Sequence, residues 1–483
     1  MKKEELKILL SGQDYDGIIT KIKASRQTEI PNINDIESEL YPSEHDINDT
    51  TLRPDRTVTT DANGTETATY DASNADSSTT RTEKVARIAL SFQKLILNRS
   101  VSFTFGNPIE LNYEPQNDKE TTVKDAIKKI LIKNKEISLN RKVGKVLFST
   151  KEVAEYWYPE EYKNNYYGFD SKYKLRSYVF SPLNGDVLYP TFDEYGDMIA
   201  FSRSYKLKND DDEDVEYFET FTSDSHIIYI KDGEWKLLEG YPKKNILDKI
   251  PIVYCYQDKT EWEDVQVLID RMEKLLSNFA DTIDYNANPM IFFKGQLTGF
   301  GRKGEAGKII EGDVNSDASY LSWDAAPTAV KTEIETLLRL IYTLSQTPDF
   351  SQEGLSGMGN VSARALKLLF FDAHLKVQEK QEYLNEYLTR RINLIKAYVG
   401  LFNSGLKANC DAMDIEPEIT PYMLGDDETK VDLLVQAAGG KPILSQKTAV
   451  SLLGYTQDSE KEYEILLEEE NTVNQFETLE PTI

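Results

Sequence analysis

Few residues of this chain have the types and spacing that catalysis or metal binding needs. The 483 residues include three histidines, His45, His226 and His374, and two cysteines, Cys255 and Cys410. No two histidines have the spacing of a metal-ligand pair, and two distant cysteines do not make a zinc site. We therefore interpret each histidine as a surface or packing residue. The cysteines indicate a reducing compartment and no disulfide framework.

Two short motifs suggest ligand binding only at first sight. Residues 299–304 read GFGRKG and match GxGxxG, but the dinucleotide fingerprint needs a following helix within a βαβ unit. Here the glycines lead into another predicted strand, which favours a mobile loop. Residues 209–214 read NDDDED and lack the glycine and terminal glutamate of an EF-hand, so we predict a solvated hairpin tip. The sequence has no P-loop either, and we predict a protein that is not an enzyme and needs no cofactor.

The charge of the chain limits its partners. The net charge is −26 and the pI is about 4.7. Because nucleic-acid affinity comes mostly from lysine and arginine, this balance argues against tight binding to a phosphate backbone. It equally suits a surface that must meet DNA without gripping it, and charge alone leaves both interpretations open. No run of 18 apolar residues occurs, so no membrane partner is expected, and the first residues lack the apolar stretch of a signal peptide.

The first 83 residues divide into two parts. Residues 2–25 have the composition of one or two short helices. In residues 43–83, Ser, Thr, Asp and Asn dominate, and large apolar residues are almost absent. Because such a stretch cannot bury enough apolar surface to order itself, we predict a flexible arm or long loop.

A mixed α/β region is predicted next. Apolar residues at helical spacing predict a helix from Val85 to Ile96, and alternation from Val101 to Phe105 predicts a strand. A further helix is expected over 121–140. From Val143 to Ile252, short β segments, beginning with KVLFST at 145–150, alternate with turns. The hairpin signals are Asn184-Gly185, Tyr195-Gly196 and Asp232-Gly233.

The elements after residue 260 are mostly helical. An apolar stripe predicts a helix over 260–287 with Thr260 as its N-cap, and a second helix starts at Pro327. A glycine-rich break then precedes a helix from Ser362 to Phe402, which would span about 60 Å at 1.5 Å per residue. A helix of this length usually builds a coiled coil, a scaffold or an assembly. The two shorter helices are joined by predicted strands at 290–294, 308–310 and 320–323.

Four stretches follow one another in an order that is typical of one protein family. Each motif is loose by itself, but their order and spacing together are specific. They are a helix-to-strand entry, RIALSFQKLILNRSVSFTFGNPIEL (87–111); a strand, acidic link and helix, IPIVYCYQDKTEWEDVQVLIDRMEKLLSNFADTIDYNANPMIFFKG (250–295); a glycine-rich loop and helix start, TPDFSQEGLSGMGNVSARALKLLF (347–370); and a C-terminal helical segment, GGKPILSQKTAVSLLGYTQDSEKEYEILLEEEN (439–471). In these stretches the chain resembles portal proteins of tailed bacteriophages, of the siphophage-like class.

The resemblance implies an α+β fold of the phage-portal type. The polar arm departs from the family pattern, and no family role is assigned to it. The implied divisions are N-terminal helices and polar flexible arm (1–83), α/β wing (84–260), stem helix (261–287), small β-containing clip (288–326), second stem helix (327–346), tunnel loop (347–361), long wing helix (362–404), linker (405–430), and helical crown with the C-terminal tail (431–483).

The resemblance also implies a function and partners. Portal proteins form a homo-oligomeric ring, usually a dodecamer, at one vertex of the capsid in the virion. Double-stranded DNA passes through the ring during genome packaging and ejection, driven in by a separate terminase. The ring also meets the major capsid or scaffolding protein and a head-tail connector, and it assembles in the cytoplasm of the bacterial host.

Two groups of residues are the predicted contact sites. Arg302, Lys303 and Lys308 in the clip are expected to face the lumen or a connector protein, although a solvated loop is equally compatible with them. The ten residues of the tunnel loop expected to line the DNA channel are Ser351, Gln352, Glu353, Gly354, Leu355, Ser356, Gly357, Met358, Gly359 and Asn360.

Two other classes of protein remain open at this point. A helical scaffolding protein without a DNA channel would explain the long helix, but it predicts an apolar repeat over many heptads. A carbohydrate-active or nucleotide enzyme would explain the α/β part and the aromatics, yet the chain offers no catalytic site.

Overall fold

The computed structural model describes residues 1–60, 66–69, 80–286, 291–294, 297–300, 310–312, 317–320, 326–349, 370–422, 427–439, 442–453 and 459–477. The chain forms two compact units. The first comprises Met1–Pro348 and Asp372–Tyr422, and the second comprises Asp349–Phe371 and Met423–Ile483.

Helices and strands both occur throughout the first unit. The helices of the described residues are α1 (Lys3–Leu10), α2 (Tyr15–Ala24), α3 (Ile33–Leu40), α4 (Phe92–Thr104), α5 (Asp118–Lys133), α6 (Glu136–Thr150), α7 (Gln266–Asn286), α8 (Ala326–Leu344), α9 (Phe371–Phe402), α10 (Lys407–Ala412), α11 (Asp427–Ala438), α12 (Gln446–Leu453) and α13 (Ser459–Glu477). The strands are β1 (Arg56–Thr60), β2 (Glu66–Thr69), β3 (Thr80–Glu83), β4 (Glu110–Asn112), β5 (Glu152–Asn164), β6 (Ser171–Phe180), β7 (Val187–Phe192), β8 (Met198–Lys208), β9 (Asp214–Thr222), β10 (Ser225–Asp232), β11 (Glu234–Leu237), β12 (Lys243–Lys244), β13 (Ile252–Tyr256), β14 (Ile291–Lys294), β15 (Leu297–Phe300), β16 (Ile310–Gly312), β17 (Asp317–Tyr320) and β18 (Glu416–Glu418).

Two antiparallel sheets form the centre of the first unit. The larger has the strand order β11-β10-β9-β8-β7, with β12 paired to β10, and the smaller has the order β13-β5-β6. Because neighbouring side chains of a strand point to opposite faces, the large sheet packs on both sides. Phe218 joins a cluster with α2, whereas Phe201 and Phe221 join a cluster with the smaller sheet. The large sheet therefore lies between α2 and the smaller sheet.

The predicted turns of this region are confirmed. Gly185, Gly196 and Gly233 lie between consecutive strands and have φ angles of +85°, +88° and +72°. Only glycine adopts this backbone region without steric strain. The NDDDED segment is the exposed tip of the β8–β9 hairpin, as predicted.

The strand predicted from Val101 to Phe105 is wrong, because α4 continues to Thr104. Its residues Val101 and Phe103 are buried against neighbouring elements, and a short apolar run looks the same in a buried helix and in a strand. Gly144 of α6 permits this packing, since a Cβ there would lie 2.8 Å from carbons of the Phe105 ring.

The helix predicted over 121–140 is two helices. Asn134 ends α5, and Lys135, with φ +54°, precedes α6. The predicted β segment at 145–150 is wrong, since these residues form the last turns of α6. Val146, Leu147 and Phe148 are all buried, so no alternation or helical stripe marks the segment.

The predicted flexible arm is folded over residues 43–60. His45 and Ile47 are buried, and β1 pairs with both β2 and β3. Composition alone missed this order because polar contacts to α7, those of His45 with Glu273 and of Arg53 with Asp281, add to the burial of the few apolar residues of the arm. Residues 61–65 and 70–79 lie outside the described part of the chain.

The segment 84–91, which we call the brace, is neither helix nor strand, so the helix predicted from Val85 begins only at Phe92. The backbone N–H groups of the brace find acceptors on one face of α7. Ala86 donates to Asp281 at 2.7 Å, Ile88 to Ser277 at 2.9 Å, and Leu90 to Glu273 at 2.7 Å. Residues four apart lie on one helix face, so three side chains of α7 satisfy alternate donors of the brace.

The helix predicted over 260–287 starts later, at Gln266, after a 3₁₀ turn at Glu263–Val265. Residue 287 lies outside the described part. The second helix begins at Ala326, next to the predicted Pro327. Between the helices β14 pairs with β17 and β15 with β16, so the predicted strands at 308–310 and 320–323 are shifted by two to three residues and β15 is additional.

The long helix is α9, which has 32 residues and spans about 48 Å at 1.5 Å per residue. Its predicted start at Ser362 lies outside the described residues. No helix in the described ranges is long and apolar enough to span a membrane.

The second unit contains α11, α12 and α13. At the start of α12 the Thr448 N–H donates to the Ser445 hydroxyl at 3.1 Å. Such a side-chain cap satisfies one of the free donors at a helix N-terminus.

Candidate functional site

The predicted site residues lie outside the described part of the chain. They are the loop residues 351–360 and the basic residues Arg302, Lys303 and Lys308. The structure does describe the frame from which the predicted tunnel loop leaves at Pro348 and to which the chain returns at Asp372, both in the first unit.

A buried carboxylate joins three segments of this frame. Glu261, just before α7, has a side chain that is 2% exposed. Lys376 of α9 lies 2.7 Å from one of its oxygens, and Lys380, one turn further along, contacts the other. Lys376 also donates to the carbonyl of Ser345, directly after α8, at 2.9 Å. We call Glu261, Ser345, Lys376 and Lys380 the loop anchor.

The surroundings of the loop anchor fix its charges in place. The Lys380 Nζ atom lies 4.2 Å from the centre of the Phe148 ring, a cation–π contact. Tyr383 donates to the amide oxygen of Gln257 at 3.0 Å, and its hydroxyl lies 3.4 Å from Lys380. The cluster is therefore packed between α6, α9 and the segment that leads into α7.

Electrostatics keep Glu261 ionised. Burial alone would raise the pKa of this carboxyl, but the charges and hydrogen bonds of Lys376 and Lys380 outweigh it and lower the pKa to about 2. Burial lowers the pKa of Lys380, and the positive charge of Lys376 lowers it further. The negative charge of Glu261 raises this pKa and offsets part of both effects. One carboxylate thus stabilises two closely spaced cations.

The end of the frame at Pro348 is held by α4. Arg99 donates to the Pro348 carbonyl and lies 5.7 Å from the centre of the Tyr342 ring. Thr347 is 5% exposed, and its N–H donates to the Tyr342 carbonyl at 3.0 Å. The chain therefore enters the predicted loop from a fixed, buried base.

A polar cleft of about 460 Å³ lies beside the loop anchor, lined by Gln257, Asp264, Gln346, Glu379 and Tyr383 among others. Within the described ranges no group of three or more His, Cys, Asp or Glu side chains could hold a metal ion. The loop anchor and the cleft beside it are therefore suited to pairing charges and to holding the chain segments in position.

A second buried ion pair fixes α9 further along its length. Arg391 and Glu155 of β5 have side chains that are 1% and 0% exposed. The Arg391 Nε atom donates to Glu155 at 2.9 Å, and Asn140 of α6 accepts from the same guanidinium at 2.5 Å. Trp157 donates to Glu155 at 3.0 Å. Although burial opposes it, the carboxylate of Glu155 raises the pKa of Arg391, so the guanidinium keeps its charge.

His45, His226 and both cysteines have structural surroundings. His45 lies 2.7 Å from Glu273 of α7 and 2.8 Å from the Glu39 carbonyl, so it links the arm to α7. His226 lies 2.7 Å from Glu219 and stacks on Phe221, which agrees with the packing interpretation.

The two thiols are free and buried, and burial raises the pKa of Cys255 to about 12 and of Cys410 to about 11. Thiols with such raised pKa values are poor nucleophiles.

The sequence interpretation missed the loop anchor. Glu261 was expected in the first turn of a helix, where acidic residues are common. The available signal was on α9, whose buried stripe Ala373, Val377, Leu384 and Leu388 also includes Lys380 and Arg391. A cation in an apolar stripe needs a buried partner.

The comparison with known families decides the identity of the fold. A sequence profile described as phage portal protein, SPP1 Gp6-like, matches residues 19–475. The chain belongs to this portal family. Membership confirms the predicted portal-type α+β fold and the prediction that the protein is structural and not an enzyme.

Solved structures include chains that this portal protein resembles at low identity. One is in the virion of a native gene transfer agent particle, with 13% identity over 76% of this chain and 89% of that chain and a TM-score of 0.35. A second is in the neck of an empty gene transfer agent particle computed with C6 symmetry, with 13% identity over 76% of this chain and 89% of that chain and a TM-score of 0.37. A third is in the neck of a native particle computed with C12 symmetry, with 12% identity over 76% of this chain and 89% of that chain and a TM-score of 0.38. No curated protein matches the sequence.

Replacing Glu261 by glutamine should destabilise the portal protein strongly. The substitution leaves the buried Lys380 and the partly buried Lys376 without a counter-charge, which costs about 3–5 kcal/mol of unfolding free energy. Urea unfolding followed by fluorescence of the neighbouring Trp262 measures it. The control is Glu263→Gln, since that carboxylate is 45% exposed and pairs with Lys151 at 2.9 Å. The control should lose no more than about 1 kcal/mol, and equal losses in both variants would refute the role of Glu261.

Acid should remove the contribution of Glu261. Its pKa is about 2 in the folded protein and 4.5 ordinarily, so the unfolded chain binds this proton more readily. The stabilisation is complete above pH 4.5 and falls as the pH drops toward 2. The difference in unfolding free energy between wild type and Glu261→Gln, measured at several pH values, should shrink over this window. A difference that stays constant from pH 6 to pH 3 would show that the carboxylate is not held in this way.

Proposed function

We propose that this protein forms a ring, of twelve copies, at one capsid vertex and provides the channel for packaging and ejection of double-stranded DNA. Family membership over residues 19–475 is the observation that carries the proposal. The loop anchor adds a mechanical element, because it gives the predicted tunnel loop a rigid base.

The surface of α7 and α8 supports assembly. The two helices pack antiparallel, with Arg271 of α7 paired to Glu333 of α8 at 2.6 Å. Val267, Ile283 and Leu344 remain 76%, 48% and 55% exposed. A helical pair with apolar residues on its outer side gains stability when neighbouring copies cover them, and a closed ring of head-to-tail contacts does this for every copy.

The charge of the chain supports a channel that does not retain DNA. Each copy carries a net charge of −26, and release of counterions by many lysines or arginines would slow a moving duplex. In this proposal residues 351–360 project from the loop anchor toward the DNA. Displacement of the loop is transmitted through Lys376 and Lys380 to α9.

The remaining partners are assigned to other parts of the portal. The clip, with Arg302, Lys303 and Lys308, faces the lumen or the head-tail connector. Terminase docks during packaging, and the major capsid or scaffolding protein surrounds the ring in the particle. Assembly takes place in the cytoplasm of the bacterial host.

Electron microscopy of the purified protein tests the ring directly. We expect closed rings with a central hole and predominantly twelve-fold symmetry. Compact monomers at high protein concentration would contradict the proposal. Solid helical bundles without a hole would favour the alternative of a scaffolding protein without a DNA channel.

Shortening the loop within residues 351–361 should leave rings intact and reduce DNA packaging. The loop anchor lies outside the deleted residues, so assembly keeps its contacts while the channel loses its contact with DNA. The amount of protected DNA per particle is the measurement, and a same-length Gly-Ser replacement separates loop length from loop chemistry. Normal packaging by the shortened variant would show that this loop is not the tunnel loop.

A further inference from the structure

A basic surface stands out on this acidic protein. Residues 118–145, which cover α5 and most of α6, carry eight exposed cations and two exposed carboxylates, those of Asp118 and Asp125. The other two acidic residues of this stretch, Glu120 and Glu136, are buried or half-buried. The exposed cations are Lys119, Lys128, Lys129, Lys133, Lys135, Arg141, Lys142 and Lys145.

Contacts with the β5–β6 hairpin bring part of this charge together. Asn134, between α5 and α6, forms two hydrogen bonds with the outer edge of β6. Its side chain donates to the Leu175 carbonyl at 3.1 Å and accepts from the Ser177 N–H at 3.1 Å. Lys133 lies 4.4 Å from the centre of the Tyr166 ring, and Lys142 lies 5.8 Å from that of Tyr178.

We call the exposed cations on and beside the β5–β6 hairpin the basic face. Its members are Lys129, Lys133, Lys135, Lys142 and the exposed Arg176 of β6. Arg176 forms an exposed pair with Glu160 at 3.1 Å. Among the described residues the four lysines have no ion-pair partner, so their charge is available to a further molecule.

The β8–β9 hairpin is acidic and projects beyond its sheet. The pairing of β7 with β8 reaches only Ser204, and the pairing of β10 with β9 reaches only Tyr217. The two strands of the hairpin stay paired as far as Lys208 and Asp214. The last residues of the hairpin therefore extend past both neighbouring strands.

The tip of this hairpin is ordered and negatively charged. Asp210, Asp211, Asp212, Glu213 and Asp214 are all exposed. Only Asp212 has an ion-pair partner within the described ranges, Lys208 at 2.7 Å. The Asn209 side chain accepts the N–H groups of residues 211 and 213 at 3.0 and 2.8 Å, which fixes the turn. An ordered turn loses little conformational entropy on binding.

We propose that the acidic hairpin tip of one copy binds the basic face of the neighbouring copy in the ring. This contact rests on the ring assembly proposed above. Copies that each carry −26 repel one another, so ring closure favours an interface where opposite charges meet. A head-to-tail ring joins two different surfaces of the same chain, and complementary charges set their register. The chain itself supplies the matching anionic element, which favours a second copy over DNA as the occupant.

Charge reversal with rescue tests the contact. The hairpin variant is Asp210→Lys, Asp211→Lys and Asp214→Lys, and the face variant is Lys129→Glu, Lys133→Glu and Lys142→Glu. Each should lower the fraction of subunits in rings several-fold at low salt, measured by mass photometry. The combined variant restores opposite charges and should recover rings. Such a recovery also excludes misfolding as the cause of the single losses.

The control reverses three exposed carboxylates elsewhere, Glu194→Lys, Glu234→Lys and Glu239→Lys, with the same change in net charge. It should assemble like wild type. The proposal fails if the hairpin variant also assembles normally, or if the combined variant does not recover. It also fails if the face variant forms normal rings but loses packaged DNA, since the face then binds DNA. If the wild type itself forms no rings, the proposed function is refuted, and the proposed contact between copies is refuted with it.

Discussion

The ion cluster of Glu261 with Lys376 and Lys380 is the interaction on which the arrangement of the helices depends. It joins residues more than a hundred positions apart and sits where α7 begins, α8 has ended and α9 runs past both. Removing charges from water is costly, so a cluster of this kind is maintained only when each charge has partners. The partners here come from separate segments, and the cluster forms only when these segments have taken their places. The cluster therefore favours the correctly folded arrangement of these segments over arrangements in which one of the charges would be buried without a partner.

The second ion pair, Arg391 with Glu155, gives α9 another fixed point eleven residues beyond Lys380. A helix held at two buried positions behaves as a stiff rod between them. One fixed point adjoins the predicted tunnel loop and the other lies against the smaller sheet. The arm and brace restrain a different helix, α7, because they bind the face of α7 that carries Glu273, Ser277 and Asp281.

Sequence periodicity predicted most elements whose apolar residues face one side. The strands of the large sheet, the stripe of α7 and the body of α9 are examples. It failed where a short apolar run fits a buried helix as well as a strand. Val101, Phe103 and Phe105 alternate but belong to the end of α4, and Val146–Phe148 are all buried within α6. It also failed for the arm and brace, whose order comes from side chains nearly two hundred residues away.

The candidate site was predictable only in part. The order of motifs was sufficient to recognise the portal family, which the profile match over 19–475 confirms. Glu261 and Glu155 could not be selected from so many carboxylates, because their role depends on which cations the fold brings to them. Lys380 and Arg391 in the apolar stripe of α9 were the local sign of buried ion pairs.

Hydrogen–deuterium exchange tests most directly whether the loop anchor joins the segment that precedes the predicted tunnel loop to the described part of α9 that follows it. In Glu261→Gln, backbone amides at 342–347 and at 373–380 should lose protection together relative to wild type. Amides around Arg391 should keep theirs, since the second ion pair is intact. Loss of protection on one side only, or unchanged protection on both sides, would contradict the claim that a single buried carboxylate joins the two segments.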